Sequence, residues 1–201
     1  VADLLGRFSV HVRVTRPRRT KLGDHRPPGR GWRTHRISIN DDLNPYAFLT
    51  TLVHEIAHAA AWERHHLGRR RIMPHGAEWK AAFAEMLAPV VGRGLLPADV
   101  EAALARTMLR PAAATCSDRD LALTLARYDP LDPGIIRAEQ LAAGTWFRVD
   151  DGTVFCAGRV LRTRRLCIEA ESGSEYVVHG LTKVRPLNAA EVAALTTRRL
   201  D

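Results

Sequence analysis

Two histidines four residues apart, with a glutamate directly after the first, stand in the run His54-Glu55-Ile56-Ala57-His58. On a helix, residues four apart lie on one face, one turn from each other. Two imidazoles at that spacing can converge on one Zn2+, and the glutamate can approach a water on the metal from the side. Zinc lowers the pKa of such a water from about 15.7 toward 7, and a carboxylate can then pass its proton to a leaving amine. Catalytic zinc sites keep three protein ligands and one open position, so a third ligand is needed. The motif is embedded among Leu52, Val53, Ile56, Ala57, Ala59 and Ala60. Uncommitted His and Glu would be costly to bury in so apolar a helix, which favours a metal site over a pair of solvated histidines.

The third ligand separates the classes of zinc enzyme. The extended motif with Gly at position 61 and His at position 64 is excluded, because the chain has Ala61 and Arg64. A spacing of the endoribonuclease kind, HxxxHxxxxxH, also fails at Arg64, and His65 is one residue out of register. What remains is Pro74-His75-Gly76-Ala77-Glu78-Trp79, which the pattern places at the opening of the next helix. His75 and Glu78 are three apart on that helix and share a face, and either could complete the site.

These residues resemble the SprT-like family, which includes the Spartan-type proteases that act on DNA–protein crosslinks. The resemblance rests on Thr51-Leu52-Val53-His54-Glu55-Ile56-Ala57-His58-Ala59 and on Pro74-His75-Gly76-Ala77-Glu78-Trp79-Lys80. The strand His35–Asn40 is also in the family's place, so the likeness covers roughly residues 20–90. It implies zinc on His54, His58 and His75, Glu55 as catalytic base, and Glu78 as a support that orients His75. It also implies a minimal zincin-like core, a small sheet with the HExxH helix as active-site helix, and a protein substrate. Many SprT-like members carry a C-terminal zinc ribbon of four cysteines. This chain has only Cys116, Cys156 and Cys167, with no CxxC pair, and a β module stands in that place. The rival reading is a non-proteolytic, nucleic-acid-associated module with a structural zinc closed by four protein ligands.

The elements that must position these side chains are legible as patterns. Phe8–Thr15 alternates as a half-buried strand, a Pro/Gly/Arg-rich loop follows, and His35–Asn40 reads as a second strand through Ile37 and Ile39. Asn44-Pro45 is a cap followed by proline at the first helical position, opening a helix to about His66. Leu67–Pro74 is a basic connector, and the next helix runs from near His75 through Trp79, Phe83 and Leu87. A third helix follows Pro97, and a fourth spans Ser117–Tyr128 with Ser117 as cap. Trp62 and Trp79 fit packing positions, and Tyr46 at the helix start reads as packing rather than support for an oxyanion. His11, His25, His35, His66 and His179 show no ligand spacing.

Beyond Pro130 the period changes. Thr145–Val149, Thr153–Thr163, Leu166–Glu171 and Glu175–Val184 read as strands, with Asp151-Gly152 and Ser172-Gly173 as hairpin turns. The expectation is an α+β chain: a zincin-like metalloprotease domain at 1–130, a linker at 131–143, a small SH3-like, barrel-like all-β module at 144–188, and a C-terminal helix at 189–201. Cys156 and Cys167 could face each other on neighbouring strands, though buried reduced thiols are the simpler reading. Trp146, Phe147, Arg148, Arg162, Arg164 and Arg165 form a basic and aromatic set in the module; small barrels with that mix can bind nucleic acid or peptide, and plain packing is the simpler reading.

The net charge of +8 is concentrated in residues 1–40, where ten basic residues face only Asp3 and Asp24. Such a basic arm, with Arg18, Arg19 and Lys21 in it, could contact a phosphate backbone. Arg69-Arg70-Arg71 in the connector could do the same, or attract an acidic substrate, close to the expected cleft. DNA is therefore a candidate partner beside the protein substrate. No apolar run approaches the roughly 20 residues of a bilayer span, and no signal pattern opens the chain, so a soluble cytoplasmic protein without membrane contact is expected. Nothing in the pattern fixes an oligomeric state.

Overall fold

The structure is a computed structural model that describes residues 2–18, 20–68, 73–109, 118–130 and 133–197. The chain divides into two compact units, Val1–Pro130 and Leu131–Asp201. The first combines a small sheet with helices and the second is built on an all-β sheet, so the expected α+β composition is met. Among the described residues, no helix is long and apolar enough to cross a membrane.

In the first unit, α1 (Ala2–Arg7) leads into β1 (Val10–Thr15), β2 (Gly23–Arg26) and β3 (His35–Asn40). The sheet order is β1-β3-β2, with β1 parallel and β2 antiparallel to the central β3. Alternation along β3 puts Ile37 and Ile39 in the core at 1% and 0% exposure, while Arg36 between the strands' inner positions is exposed. β2 lies inside the stretch expected to be a loop. Gly-Asp-His-Arg carries no apolar alternation, so only its pairing with β3 makes it a strand.

The sheet packs on α2 (Pro45–His65). Asn44 caps this helix as expected, its Oδ1 accepting from the backbone N–H of Tyr46 at 3.1 Å and of Ala47 at 3.0 Å. A cap of this kind is worth about 1 kcal/mol. The Asn44 amide also donates to Leu125 O at 2.9 Å, tying the start of α2 to the end of α5 (Arg119–Ala126). From Thr50 to Ala57, and again from Ala59 to Ala61, every side chain of α2 is buried. A helix enclosed on all sides is the spine of a domain rather than a surface element. Its run of alanines lets α3 (Ala77–Leu87) approach closely, and Trp79, Phe83, Met86 and Leu87 fill the space between. α4 (Ala98–Leu109) and α5 close the unit. The cap of α5 is Asp118, whose side chain accepts from Leu121 N, and the expected cap Ser117 lies outside the described residues, as does Cys116. Tyr46 packs edge-on against Tyr128 with ring centroids 4.6 Å apart, in agreement with a packing role.

In the second unit a six-stranded sheet runs in the order β4-β9-β5-β6-β7-β8. Its strands are β4 (Ile136–Arg137), β5 (Trp146–Arg148), β6 (Val154–Val160), β7 (Arg164–Glu169), β8 (Glu175–His179) and β9 (Lys183–Pro186). β4 and a single 3-10 turn, Ala138–Gln140, fall within the stretch expected as linker, because β4 pairs with β9. The expected strand Glu175–Val184 is two strands, since the chain turns at Gly180-Leu181 before β9. Cys156 is paired opposite Ile168 and Cys167 opposite Ala157, so the two thiols lie on opposite faces and do not meet. Phe147, at 0% exposure, is in the core. The Arg165 guanidinium is buried too, donating to Gly158 O at 2.8 Å and Leu141 O at 2.7 Å. Both residues are thus interior. α6 (Ala189–Thr197) follows the sheet.

Candidate metal centre

The helix places His54 and His58 one turn apart with ring centroids 5.1 Å from each other. The third ring comes from the segment before α3. His75 is not part of that helix, which starts at Ala77, but sits in the preceding turn with φ of 60°. This left-handed backbone is uncommon for any residue with a Cβ. It turns the His75 ring back toward α2, where its Nε2 lies 3.1 Å from His54 Nε2 and 3.1 Å from His58 Nε2. Because His75 precedes the helix, the expected shared face with Glu78 does not exist. Glu78 Oε2 stands 3.2 Å from where a Cβ on Gly76 would be, and Glu78 is not in the group of side chains close enough together to hold a metal. Among the described residues, the group of side chains able to hold a metal is His54, His58 and His75.

The three nitrogens fit a divalent cation. Tetrahedral ligands at about 2.0–2.1 Å from a zinc-sized ion are separated by about 3.3 Å. Three neutral imidazoles that all aim Nε2 at one point cannot satisfy one another, because each ring has a single N–H. A cation at that point satisfies all three. Burial, reinforced by His58 and His75, lowers the His54 pKa to about 3. Burial and His75 lower His58 to about 4, and burial also lowers His75. The rings are therefore held in the neutral form that ligates.

Trp79, expected as core, is both core and support. It is 1% exposed, and its ring centroid lies 4.6, 5.4 and 4.8 Å from those of His54, His58 and His75. Its Nε1–H donates to His54 O at 3.3 Å, and Phe83 stacks on its other side at 4.9 Å. The aromatic floor leaves the imidazoles little freedom to rotate away.

Glu55 is 6% exposed and projects toward β2 rather than toward α3. Burial, with a contribution from the Asp24 carboxylate, raises its pKa to about 8 in the metal-free site, against the lowering influence of Arg18 and Lys21. It lines, with the three histidines, a cleft of about 550 Å³. The far wall of the cleft is β2, through Gly23, Asp24 and His25. The sequence did not mark these three, since their strand has no pattern of its own. His25 in particular lacks ligand spacing, yet its ring lies parallel to that of His58 with centroids 6.0 Å apart. Trp62, expected as core, is only half-buried and also lines the cleft.

The basic residues singled out in the sequence have separate fates. Arg18 is engaged: its guanidinium donates to Asn40 Oδ1 at 2.9 Å, Ser38 Oγ at 2.9 Å and Ser38 O at 3.2 Å. It fastens the segment after β1 to β3 and is not a free surface cation. Lys21 lines the cleft and pairs with Asp24 at 2.6 Å. Arg19, Arg69, Arg70 and Arg71 lie outside the described residues.

No curated protein and no solved structure matches the chain. Residues 5–100, which hold the first unit's sheet, α2, α3 and the whole histidine cluster, match the model of the SprT-like family, in agreement with the resemblance carried by the two motifs.

Proposed function

We propose that the chain is a zinc-dependent endopeptidase of the SprT-like kind, working in the cytoplasm, with a zincin-like core followed by a small SH3-like module. The observation that carries this reading is the His75 Nε2 lying 3.1 Å from both His54 Nε2 and His58 Nε2, with Glu55 on the wall of the same cleft. Bound there, zinc would supply a Lewis acid for a carbonyl and acidity for a water. Glu55 would accept the proton of the attacking water on a carboxylate oxygen and deliver it to the departing amine nitrogen. Its position on the cleft wall, one residue after His54, supports that role.

The open edge of β2 supports a peptide as substrate over other acyl compounds. Among the described residues, β2 pairs with β3 on one side only. An extended peptide can add to such an edge through backbone hydrogen bonds. Residues 1–40 also expose Arg13, Arg16, Arg30, Arg33 and Arg36, which supports a substrate met on DNA.

The test is zinc analysis joined to cleavage of an unfolded protein, with and without single-stranded DNA. The zinc-loaded protein should cleave, and Glu55→Gln should keep its zinc and lose cleavage by about a thousandfold or more. A zinc-loaded protein that leaves every unfolded substrate intact ends the proteolytic reading and leaves the structural-zinc rival.

A further inference from the structure

Behind the cleft wall, three residues outside the ligand set form a hydrogen-bonded chain. His35 Nε2 lies 2.9 Å from Glu63 Oε1, and His35 Nδ1 lies 2.8 Å from His25 Nε2. The His35 side chain is 1% exposed, whereas that of Glu63 is 43% exposed at the outer end. An ionised carboxylate only accepts, so the His35 proton sits on Nε2. In the neutral ring His35 Nδ1 is then an acceptor, and His25 Nε2–H donates into it. The chain fixes the tautomer of His25 and leaves its Nδ1 as a lone pair. That nitrogen makes no hydrogen bond among the described residues, and His25 lines the cleft.

The register of β2 says which part of a substrate would meet it. His25 is paired with Ile37 and Gly23 with Ile39, so both face α2. Gly23 abuts Glu55, and His25 lies flat beside His58. In a strand added to the edge of β2, alternate side chains stand on that same face, as cross-strand neighbours of His25.

We propose that His25 is a specificity-determining residue, which selects peptides carrying a hydrogen-bond donor (a hydroxyl, amide or ammonium) on the side chain beside it. Glu63 and His35 are positioning residues that act through His25. The proposal rests on the proteolytic reading above. A pocket built around an acceptor discriminates against a substrate that lacks the donor, because the acceptor is then left unpaired.

The test begins with the zinc-loaded wild type and a randomised peptide library, followed by two peptides that differ only by Thr or Val at the preferred position. The Thr peptide should have a kcat/KM about 10-fold higher, mostly through KM. His25→Phe, which keeps a flat ring without the acceptor, should abolish that difference at unchanged zinc content. Glu63→Ala, at an exposed position, should weaken the preference without touching the cleft. Nitrogen-15 shifts of the His25 ring should report the Nε2–H tautomer, and Glu63→Ala should mix the two tautomers. Cleavage with no donor preference, a preference that survives His25→Phe, or an Nδ1–H tautomer in the wild type each overturns the assignment. Absence of any cleavage by the wild type sinks the proteolytic reading and the assignment with it, whereas the three preceding outcomes sink the assignment alone.

Discussion

A methyl group on Gly23 would lie 2.5 Å from Glu55 Oε1 and 2.8 Å from Glu55 Cγ. It would also come within 2.7 Å of Thr51 Cγ2. The glycine is there because the carboxylate of α2 needs the space that a side chain on β2 would fill. Both groups belong to packed elements, so neither can step aside cheaply. Gly23→Ala is expected to displace Glu55 and cut the cleavage rate by about 100-fold, since misplacement by an ångström costs that much. Zinc content should stay at the wild-type level, because the atoms that such a methyl group meets most closely belong to Glu55 and Thr51 and not to the imidazoles. Rate and metal analysis on the same preparation check both halves.

His75 reaches the other two histidines through its left-handed backbone, not through helix periodicity. His75→Ala should lower zinc affinity at least about 100-fold in a competition titration against a chelator. Glu78→Ala should leave it within a few-fold, since a ligand loss removes a bond while a carboxylate outside the ligand group can only tune one. Equal losses for the two variants would mean that Glu78 swings in when metal binds.

Arg18 separates structure from nucleic-acid binding. Its removal leaves Asn40, which is 1% exposed, and the carbonyl of Ser38 short of donors. Arg18→Ala is expected to destabilise the first unit by about 1–3 kcal/mol. A thermal melt should show the loss directly. Affinity for single-stranded DNA, measured by anisotropy at fixed salt, should change far less than in a variant that neutralises the exposed Arg13 and Arg16 together.

The metal-free protein should be most stable near pH 6.5. Folding holds His25, His54 and His58 neutral down to about 3, 3 and 4, while the unfolded chain protonates each near 6.5. The unfolded state therefore binds more protons below pH 6.5, and stability falls as pH falls toward 4. Glu55 works in the opposite direction, because its carboxyl stays protonated up to about pH 8 in the fold. One acid cannot offset three histidines below pH 6.5, but it acts alone between 6.5 and 8, where stability should decline gently as pH rises. Melts of chelator-treated protein from pH 4.5 to 8.5 should trace this maximum. A melting temperature that rises steadily from neutral to acid pH would contradict the buried, neutral state of the cluster.

The amino-acid sequence by itself determined the parts whose information is local. Asn44-Pro45 and the apolar run that follows specify α2, so the mutual geometry of His54, Glu55 and His58 was set by helical spacing alone. Alternation specified β1 and β3, and the change of period past Pro130 announced the second, all-β unit. Tertiary structure decided what depends on elements meeting. The segment around His75 looked like the start of a helix, yet its left-handed φ of 60° is what brings the ring to α2. β2 has no apolar residue to give it a period, so Gly23 and His25 became part of the cleft only through pairing with β3. Trp62 has a core-like place in the helical pattern but faces the cleft, because nothing in a one-dimensional period says whether the facing surface is protein or open space. Periodicity fixes which side of an element a residue takes, and only packing fixes what stands opposite.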